Sequence, residues 1–196
     1  NRIFHDVFYG KGTTYKQILE VLKEGMKTLD DIRQAIDFAR KLSIPNLVFG
    51  SPKNRIVPQN MDSQELNLIA IDFFKTLGQY AISKNTCIAM EANSTKYGCN
   101  YITTTNEAIS LIKEVNSAGF KLNLDMGTMS LEGERAELIS NIIPYVNHIH
   151  ISEGFLAPIY SGDKSIHIDR AKFIKNSGYD KYISIEMTSI SENNLE

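Results

Sequence analysis

The chain has 196 residues, of which 42% are hydrophobic, and this is enough for one sizeable core of a soluble globular protein. The formal net charge is −2 and the Lys and Arg residues are scattered, which argues against a surface that tracks nucleic acid phosphates. The longest apolar stretches are far shorter than the roughly 20 residues of a membrane span, and the N-terminus lacks a basic segment followed by an apolar one. We therefore expect a cytoplasmic protein with one domain over residues 1–196, and neither nucleic acid nor a membrane as a partner.

Helices and strands are predicted to alternate along the chain. Helical spacing of apolar residues predicts helices at about 28–42, 62–80, 104–119, 131–142 and 169–176. Asp62 or Ser63 is expected to cap the second helix, and Thr104 or Thr105 the third. Short apolar runs bounded by turn residues predict strands at about 3–10, 46–50, 88–91, 122–125, 146–151 and 183–186. Such alternation is typical of right-handed βαβ units and a parallel sheet.

Four of the predicted strands carry a residue able to bind a metal near the C-terminal end, namely Glu91, Asp125, His150 and Glu186. Side chains alternate faces along a strand, and each of these residues lies opposite the large apolar side chains. One irregular position in the third of these runs is needed for His148 to share the polar face, and His148 is expected to be a hydrogen-bonded core histidine. In an open sheet the outermost of four adjacent strand ends would be about 14 Å apart, too far for one ion. Closing the strands into a (β/α)8 TIM barrel aims all four side chains at a common axis.

A complete barrel of this kind takes roughly 250 residues, more than the chain contains. The simplest account is an incomplete α/β barrel, with the first βα unit and the last strand outside the chain. The alternative is a complete but smaller α/β domain, in which the four strand ends would not all converge. An open barrel exposes two unpaired strand edges, and a homodimer that buries them is a reasonable assembly.

Three carboxylates and one imidazole form a ligand set suited to one divalent cation, namely Mn²⁺, Mg²⁺, Co²⁺ or Zn²⁺. A cation in such a site can polarise a carbonyl and an adjacent hydroxyl, and so stabilise the enediolate left when a proton leaves the neighbouring carbon. Glu91 and Glu186 lie at the two ends of the four-strand arc and are the expected acid/base pair. A base on each face of the carbon allows a proton to leave from one side and return from the other, which inverts a centre or moves a carbonyl.

Several short motifs along the chain resemble those of one known superfamily. In chain order they are Leu47-Val-Phe-Gly-Ser-Pro-Lys-Asn-Arg55, Met90-Glu-Ala-Asn93, Leu124-Asp-Met-Gly-Thr-Met129, His148-Ile-His-Ile-Ser-Glu153 and Ser184-Ile-Glu-Met187. From about Val7 onward the chain is similar to the xylose isomerase-like TIM-barrel superfamily, and especially to its sugar phosphate isomerase/epimerase (AP endonuclease family 2) members. The resemblance implies a barrel that begins near the second strand and stops just after the seventh. It also implies one divalent cation on the four strand-end residues, Glu91 and Glu186 as acid and base, and a sugar or sugar phosphate as substrate.

One position departs from the pattern of the resembled family. Many ketose epimerases of this group place a histidine three residues after the metal-binding aspartate, where this chain has Thr128. A substrate contact or a second metal ligand is lost there. An endonuclease IV-like zinc-dependent phosphodiesterase, the second enzyme class considered, needs several additional histidines, and the chain has four in all. A catalytically inactive partial barrel is the third alternative.

Five further residues are candidates for substrate binding. Lys53 and Arg55 follow a strand-end Gly-Ser-Pro turn and could hold a phosphate or carboxylate at the mouth of the site. Asn93 and Glu153 lie beyond metal-binding residues on the predicted inward side and could contact substrate hydroxyls. His167 either leans over the site or merely precedes the cap of the last helix, and the second interpretation is favoured.

Overall fold

Residues 29–52, 55–57 and 62–188 of the chain are described by the computed structural model. Their α-helices are α1 (29–41), α2 (Ser63–Ser83), α3 (Thr105–Val115), α4 (Met126–Leu131), α5 (Leu138–Ile142) and α6 (Lys164–Asn176). Their strands are β1 (Leu47–Phe49), β2 (Ile88–Glu91), β3 (Phe120–Asp125), β4 (Val146–Ser152) and β5 (Ile183–Glu186). The predicted strand at 3–10 and the candidate Lys53 lie outside the described residues. Within the described ranges, no helix has the length and apolar content needed to cross a membrane.

The five strands form one parallel sheet in the order β1-β2-β3-β4-β5. Each strand pairs with the next one along the chain, so that Ile88 of β2 lies between Leu47 of β1 and Phe120 of β3. At least one helix separates each pair of consecutive strands, which confirms the predicted βαβ units. The fold is a partial TIM barrel, made of parallel strands with helices outside them.

The hydrophobic core lies between the outward face of the sheet and the helices that cover it. Its buried members include Ile88, Met90, Phe120, Leu122, Leu124 and Ile149 from the strands, and Phe74, Leu77, Leu111 and Ile112 from the helices. The rings of Phe74 and Phe120 stack with centroids 4.5 Å apart. A Cβ on Gly119 would lie 2.1 Å from the carbonyl oxygen of Gly78, so only glycine allows α2 to approach the start of β3 this closely. With the large apolar side chains facing the helices, the other face of the strands carries the small and polar residues.

The predicted N-terminal caps of α2 and α3 are confirmed. The Asp62 side chain accepts two backbone N–H groups in the first turn of α2. Thr104 and Glu107 form a reciprocal capping box at the start of α3. This helix ends at Val115, before the predicted end, because Asn116 adopts a left-handed backbone conformation with φ 47°.

Two further predicted helix boundaries are wrong, and both involve capping aspartates. The carboxylate of Asp125 accepts the backbone N–H three residues on at 2.6 Å, so α4 begins directly after β3. The chain then turns, and the predicted helix over 131–142 is reduced to the short α5. The last helix begins at Lys164 rather than near residue 169, because Asp163 accepts the backbone N–H of Ser165 at 2.8 Å.

Candidate metal centre

Four side chains from β2 to β5 meet on the polar face of the sheet. Glu91, Asp125 and Glu186 end β2, β3 and β5, and His150 lies two residues before the end of β4. One ligand atom from each of these residues lies within 4.8 Å of those of the other three. This spacing is far below the roughly 14 Å expected for a flat sheet, because the strands are arranged around a common axis. The four residues that stand out in the sequence therefore lie together in the structure.

A bulge in β4 places both histidines on the same face as the acids. The register of β4 against β3 shifts by one residue at Asn147, after which Asp125 pairs with His150. This is the irregular position that the sequence pattern requires. His148 Nε2 lies 2.7 Å from Ser184 Oγ, so the predicted hydrogen bond is present, although His148 is partly buried and not a core residue.

Glu91 is almost fully enclosed at the end of β2, with 7% of its surface exposed. Burial raises the pKa of this carboxyl to about 8. The negative charges of Asp125 and Glu186 contribute to the raised pKa, whereas His150 and Arg55 act in the opposite direction. Without a bound cation, Glu91 therefore keeps its proton at neutral pH.

Both carboxylate oxygens of Asp125 are oriented by hydrogen bonds. Oδ1 accepts the backbone N–H of Thr128 at 2.6 Å, and Oδ2 accepts the hydroxyl of Ser152. The Ser152 hydroxyl is fully buried and in turn accepts the backbone N–H of Gly127 at 2.8 Å. Burial raises the pKa of Asp125 in spite of these hydrogen bonds. Ser152 does not stand out in the sequence, although its position two residues after His150 places it on the same face.

His150 lies between the two glutamates. Its Nδ1 is 3.0 Å from Glu186 Oε2 and 3.8 Å from Glu91 Oε1, yet within the described residues no acceptor is aligned with it for a hydrogen bond. Burial lowers the pKa of the imidazole, but the contact with Glu186 and the charges of the three acids outweigh burial, and the net pKa is raised. The same contact lowers the pKa of Glu186, which is only about half-buried.

The cluster fits a divalent cation on two structural grounds. The buried Nδ1 of His150 is directed at carboxylates without an aligned hydrogen bond, and a lone pair in that position can bind a metal instead. Three carboxylates gathered on a buried face also repel one another unless a cation neutralises them. Metal–ligand bonds of about 2.1 Å place ligand atoms at most about 4.2 Å apart. Small side-chain rotations therefore suffice to close the observed spacing of up to 4.8 Å.

Arg55 and Asn93 lie beside the cluster and contact each other. The Arg55 side chain donates to Asn93 Oδ1 and, at 3.2 Å, to the carbonyl oxygen of Ile102. Arg55 is only 2% exposed. The guanidinium is thus enclosed and bound to acceptors of the chain itself, and the expected contact between Arg55 and an anion stays a prediction. Asn93 is also buried, two residues beyond Glu91.

Glu153 and His167 form a pair on the helix side of the sheet. Glu153 Oε1 lies 2.5 Å from His167 Nε2, and His167 belongs to α6. Glu153 is therefore directed outward, which corrects the prediction that it lies on the inward side of β4. The reason is parity: Ser152 faces Asp125 on the inside, and the next residue faces the opposite way. His167 lies within α6 and does not precede its cap, so the favoured interpretation of this residue is also wrong.

Thr128 connects α4 to the end of β2. The side chain is buried, and its hydroxyl donates to the carbonyl oxygen of Ala92 at 3.0 Å. Where the resembled ketose epimerases carry an imidazole, this chain therefore has a hydroxyl that is already bound to the backbone.

Tyr97 and Phe155 join two loops near the cluster. The Tyr97 hydroxyl accepts the backbone N–H of Phe155 at 2.7 Å, and the two rings pack edge to face. Burial raises the pKa of Tyr97, and the charges of Asp125, Glu186 and Glu91 add to that effect, which places the phenol close to the acids. The loops after β2 and β4 are thus held against each other beside the cluster.

Comparison with a family of known proteins gives a match over almost the whole chain. A model of the family described as xylose isomerase-like TIM barrel matches residues 4–196. No curated protein matches the sequence.

Solved structures share the fold at low sequence identity. A 3-keto-D-glucoside 4-epimerase from E. coli is similar with a TM-score of 0.74 and 17% identity, over 84% of this chain and 65% of that one. A D-allulose 3-epimerase from Methylomonas sp., in complex with D-allulose, has a TM-score of 0.73 and 20% identity, over 94% and 60%. A xylose isomerase-like TIM barrel protein from Mycobacterium smegmatis, in complex with magnesium, has a TM-score of 0.60 and 22% identity, over 86% and 63%. The chain thus spans less than two thirds of the length of these structures.

Proposed function

The chain belongs to the xylose isomerase-like TIM barrel family, and from this membership and the four-residue cluster we propose that it is a divalent-metal-dependent sugar isomerase or epimerase. The observation that carries the proposal is the convergence of Glu91, Asp125, His150 and Glu186 within 4.8 Å. Three carboxylates and an imidazole at the C-terminal ends of barrel strands are suited to chemistry next to a carbonyl.

Glu91 and Glu186 transfer the proton in this proposal. They come from opposite ends of the four-strand arc, so a carbon held between them is approached from two sides. Their surroundings shift their pKa values in opposite directions, to about 8 for Glu91 and below the ordinary value for Glu186. Such divergence is typical of an acid/base pair. One glutamate removes the proton from the carbon beside the carbonyl and the other returns a proton to the opposite face, which inverts that centre.

Asp125 and His150 act only as ligands. A bound Mn²⁺, Mg²⁺, Co²⁺ or Zn²⁺ would polarise the carbonyl and the adjacent hydroxyl of the sugar. Ser152 and the backbone N–H of Thr128 fix the Asp125 carboxylate, so this ligand is oriented before a cation binds.

A sugar or sugar phosphate is the proposed substrate class. Two of the structurally similar proteins are epimerases of sugars, and one of them is in complex with D-allulose, which supports a ketose. Asn93 and Lys53 are the proposed substrate contacts, since Arg55 is enclosed. Glu153 and His167 are proposed to hold the loop after β4 against α6.

Metal-dependent exchange of a carbon-bound proton tests the proposal. The Mn²⁺-loaded chain is incubated in D₂O with D-fructose, D-allulose, D-tagatose and L-ribulose, and deuterium incorporation next to the carbonyl is followed by NMR. We expect exchange with at least one of these ketoses, and its loss on addition of EDTA. Glu91→Gln should abolish it, whereas the matched change Glu137→Gln, at an exposed glutamate, should not.

The location of the metal is tested separately. Anomalous scattering from a Mn²⁺-soaked crystal should give one peak between the four side chains. A peak without exchange or epimerisation of any sugar would point to a catalytically inactive barrel. The lack of both a peak and exchange would overturn the proposed function.

A further inference from the structure

A buried guanidinium lies beside the proposed site without touching any of its four ligands. Arg55 Nη1 donates to the carbonyl oxygen of Ile102 at 3.2 Å and contacts Met90 Sδ at 3.8 Å, while Nη2 donates to Asn93 Oδ1. A charged side chain is costly to bury, and within the described residues Nε of Arg55 has no acceptor, so the hydrogen bonds of Nη1 and Nη2 are the ones that offset this cost. The hydrogen bond to Asn93 therefore helps to hold the buried guanidinium, and it also fixes the orientation of the Asn93 side chain.

A guanidinium can only donate hydrogen bonds, so the group of Asn93 that faces Arg55 must be the amide oxygen. The amide NH₂ is consequently turned the other way. In the described part of the chain this NH₂ donates no hydrogen bond, although the residue is only 8% exposed. Arg55 thus selects one of two amide orientations and leaves two donors available at the edge of the site.

The backbone around Asn93 is held as firmly as its side chain. Its N–H donates to the carbonyl oxygen of Ile102 at 3.2 Å, and its carbonyl oxygen accepts from Cys99 Sγ at 3.0 Å. Ile102 has a φ of 54°, a left-handed conformation that is unfavourable for a β-branched residue. Its carbonyl oxygen accepts hydrogen bonds from both Arg55 Nη1 and the backbone N–H of Asn93. Backbone strain of this kind is concentrated where a protein fixes the geometry of a functional site.

The Asn93 amide lies close to the Glu91 carboxylate. A Cβ built on Gly50 would lie 3.4 Å from Glu91 Oε2 and 3.6 Å from Asn93 Oδ1, so both side chains border the same small space at the end of β1. The Asn93 side chain is therefore a neighbour of the Glu91 carboxylate at the edge of the proposed site.

We propose that Arg55 is a positioning residue that fixes the amide of Asn93, and that the Asn93 NH₂ donates to one hydroxyl oxygen of the sugar and determines which ketose is accepted. This inference rests on the proposed function. It assigns to the Arg55–Asn93 pair the recognition of one substrate hydroxyl, separate from metal binding and proton transfer.

Asn93→Asp and Asn93→Ala test the donor. Both variants remove the NH₂, but the aspartate keeps an acceptor for Arg55 and the alanine adds no charge, so an effect common to both is due to the missing donor. For the ketose that the wild-type chain turns over, we expect KM to rise about tenfold in both variants, the value of one hydrogen bond, with kcat changed less than about threefold. Asn106→Asp and Asn106→Ala, at an exposed position, are the matched controls.

Single-deoxy analogues of the same ketose identify the hydroxyl. The wild-type chain should discriminate about tenfold against one of these analogues, and both Asn93 variants should bind that analogue and the parent sugar equally well. Equal discrimination in the variants and the wild-type chain would overturn the assignment to Asn93.

Arg55→Lys tests the positioning role. Lysine keeps the positive charge but not the planar fork, so the Asn93 amide is free to turn. We expect the discrimination between the parent and deoxy sugar to fall while near-ultraviolet circular dichroism stays that of the wild-type chain, and Arg135→Lys, at an exposed position, to change neither. Full discrimination in Arg55→Lys would overturn the role of Arg55.

These experiments separate the proposed function from the roles of Arg55 and Asn93. If the wild-type chain turns over no ketose, the proposed function fails and this inference falls with it. If the wild-type chain is active and the Asn93 variants keep its KM and its discrimination, only the inference fails.

Discussion

Glu91 and Glu186 occupy equivalent positions at the ends of two strands, yet their surroundings differ in almost every respect. Glu91 ends β2, which is paired on both sides, and its side chain is 10% exposed. Glu186 ends β5, the last strand of the described sheet, and its side chain is 40% exposed. Burial raises the pKa of Glu91 to about 8, whereas His150 lowers that of Glu186.

The difference shows that position in the sheet, and not residue type, sets the chemistry of each carboxyl. A central strand removes water from its end residue and makes the neutral acid more favourable. An edge strand leaves its end residue in partial contact with water, where a neighbouring imidazole stabilises the charged form. The same arc of strands thus yields one carboxyl that retains a proton at neutral pH and one that does not.

Replacing each glutamate by glutamine should give the largest effects and should separate the two residues. Glu91→Gln and Glu186→Gln are both expected to reduce metal-dependent proton exchange by a factor of about 10² to 10⁴, the usual loss for an acid or base. At pH 9 and without metal, Glu91→Gln should raise the thermal unfolding temperature, because it removes a buried charge. Glu186→Gln should change it little. Exchange is measured by NMR and unfolding by calorimetry.

An equal gain in unfolding temperature from both substitutions at pH 9 would contradict the contrast between the two strand ends. Repetition at pH 4 is the control, since below about pH 4.5 Glu91 is protonated in both the folded and the unfolded chain and glutamine should bring little gain.

Ser152→Ala should produce the next largest effect. The Ser152 hydroxyl connects Asp125 Oδ2 to the backbone N–H of Gly127, and its loss frees the carboxylate to rotate. We expect the affinity for Mn²⁺ to fall by about 10- to 100-fold, the usual cost of losing a residue that orients a ligand. Isothermal titration calorimetry measures the affinity. Ser110→Ala, at an exposed serine of α3, is the control and should leave it unchanged. An unchanged affinity in Ser152→Ala would show that the hydrogen bond from the backbone N–H of Thr128, in α4, is enough to orient the Asp125 carboxylate.

The fold and the cluster can be predicted from the sequence where they depend on patterns within single strands and helices. Alternation along β2, β3 and β5 is enough to place Glu91, Asp125 and Glu186 on one face. A single irregular position accounts for His150, and the structure has that irregularity at Asn147. The convergence of the four residues then follows from barrel closure.

Other features depend on contacts that no short stretch of sequence contains. Asp125 ends a strand and caps a helix at once, so a pattern that assigns it one role misses the immediate start of α4. The partners of Arg55 lie 38 and 47 residues further along the chain, at Asn93 and Ile102. Glu153 lies three residues after His150, and an odd number of steps along an extended chain places a side chain on the opposite face of the sheet.

The next effect is the pH dependence of metal binding, which should reflect both Glu91 and His150. The pKa of Glu91 in the folded chain is raised from 4.5 to about 8, so the folded state holds this proton more tightly than the unfolded state. Without metal, the contribution of Glu91 to the free energy of unfolding is therefore greatest below about pH 4.5, and it declines as the pH rises towards 8. A cation must displace this proton and the proton of His150, so the affinity for Mn²⁺ should rise by up to about tenfold per pH unit for each proton displaced between pH 6 and 8.

Calorimetric titration in two buffers of different ionisation enthalpy measures the protons released by Mn²⁺. We expect more than one proton per cation at pH 6, because His150, whose pKa is raised, also carries a proton there, and fewer at pH 9. In Glu91→Gln the release at pH 6 should fall by about one proton. An unchanged release in this variant would assign the protons to other groups.

Ile185→Ala should have the smallest effect and tests the edge-strand side of the contrast. Ile185 is 68% exposed on β5, whereas Ile88 is 1% exposed on β2. We expect Ile185→Ala to change the free energy of unfolding by about 0.5 kcal/mol or less, and Ile88→Ala to reduce it by about 2 to 5 kcal/mol. Urea unfolding measures both. A large loss in Ile185→Ala would mean that β5 is covered in solution, and a dependence of that loss on protein concentration would identify a second copy of the chain as the cover.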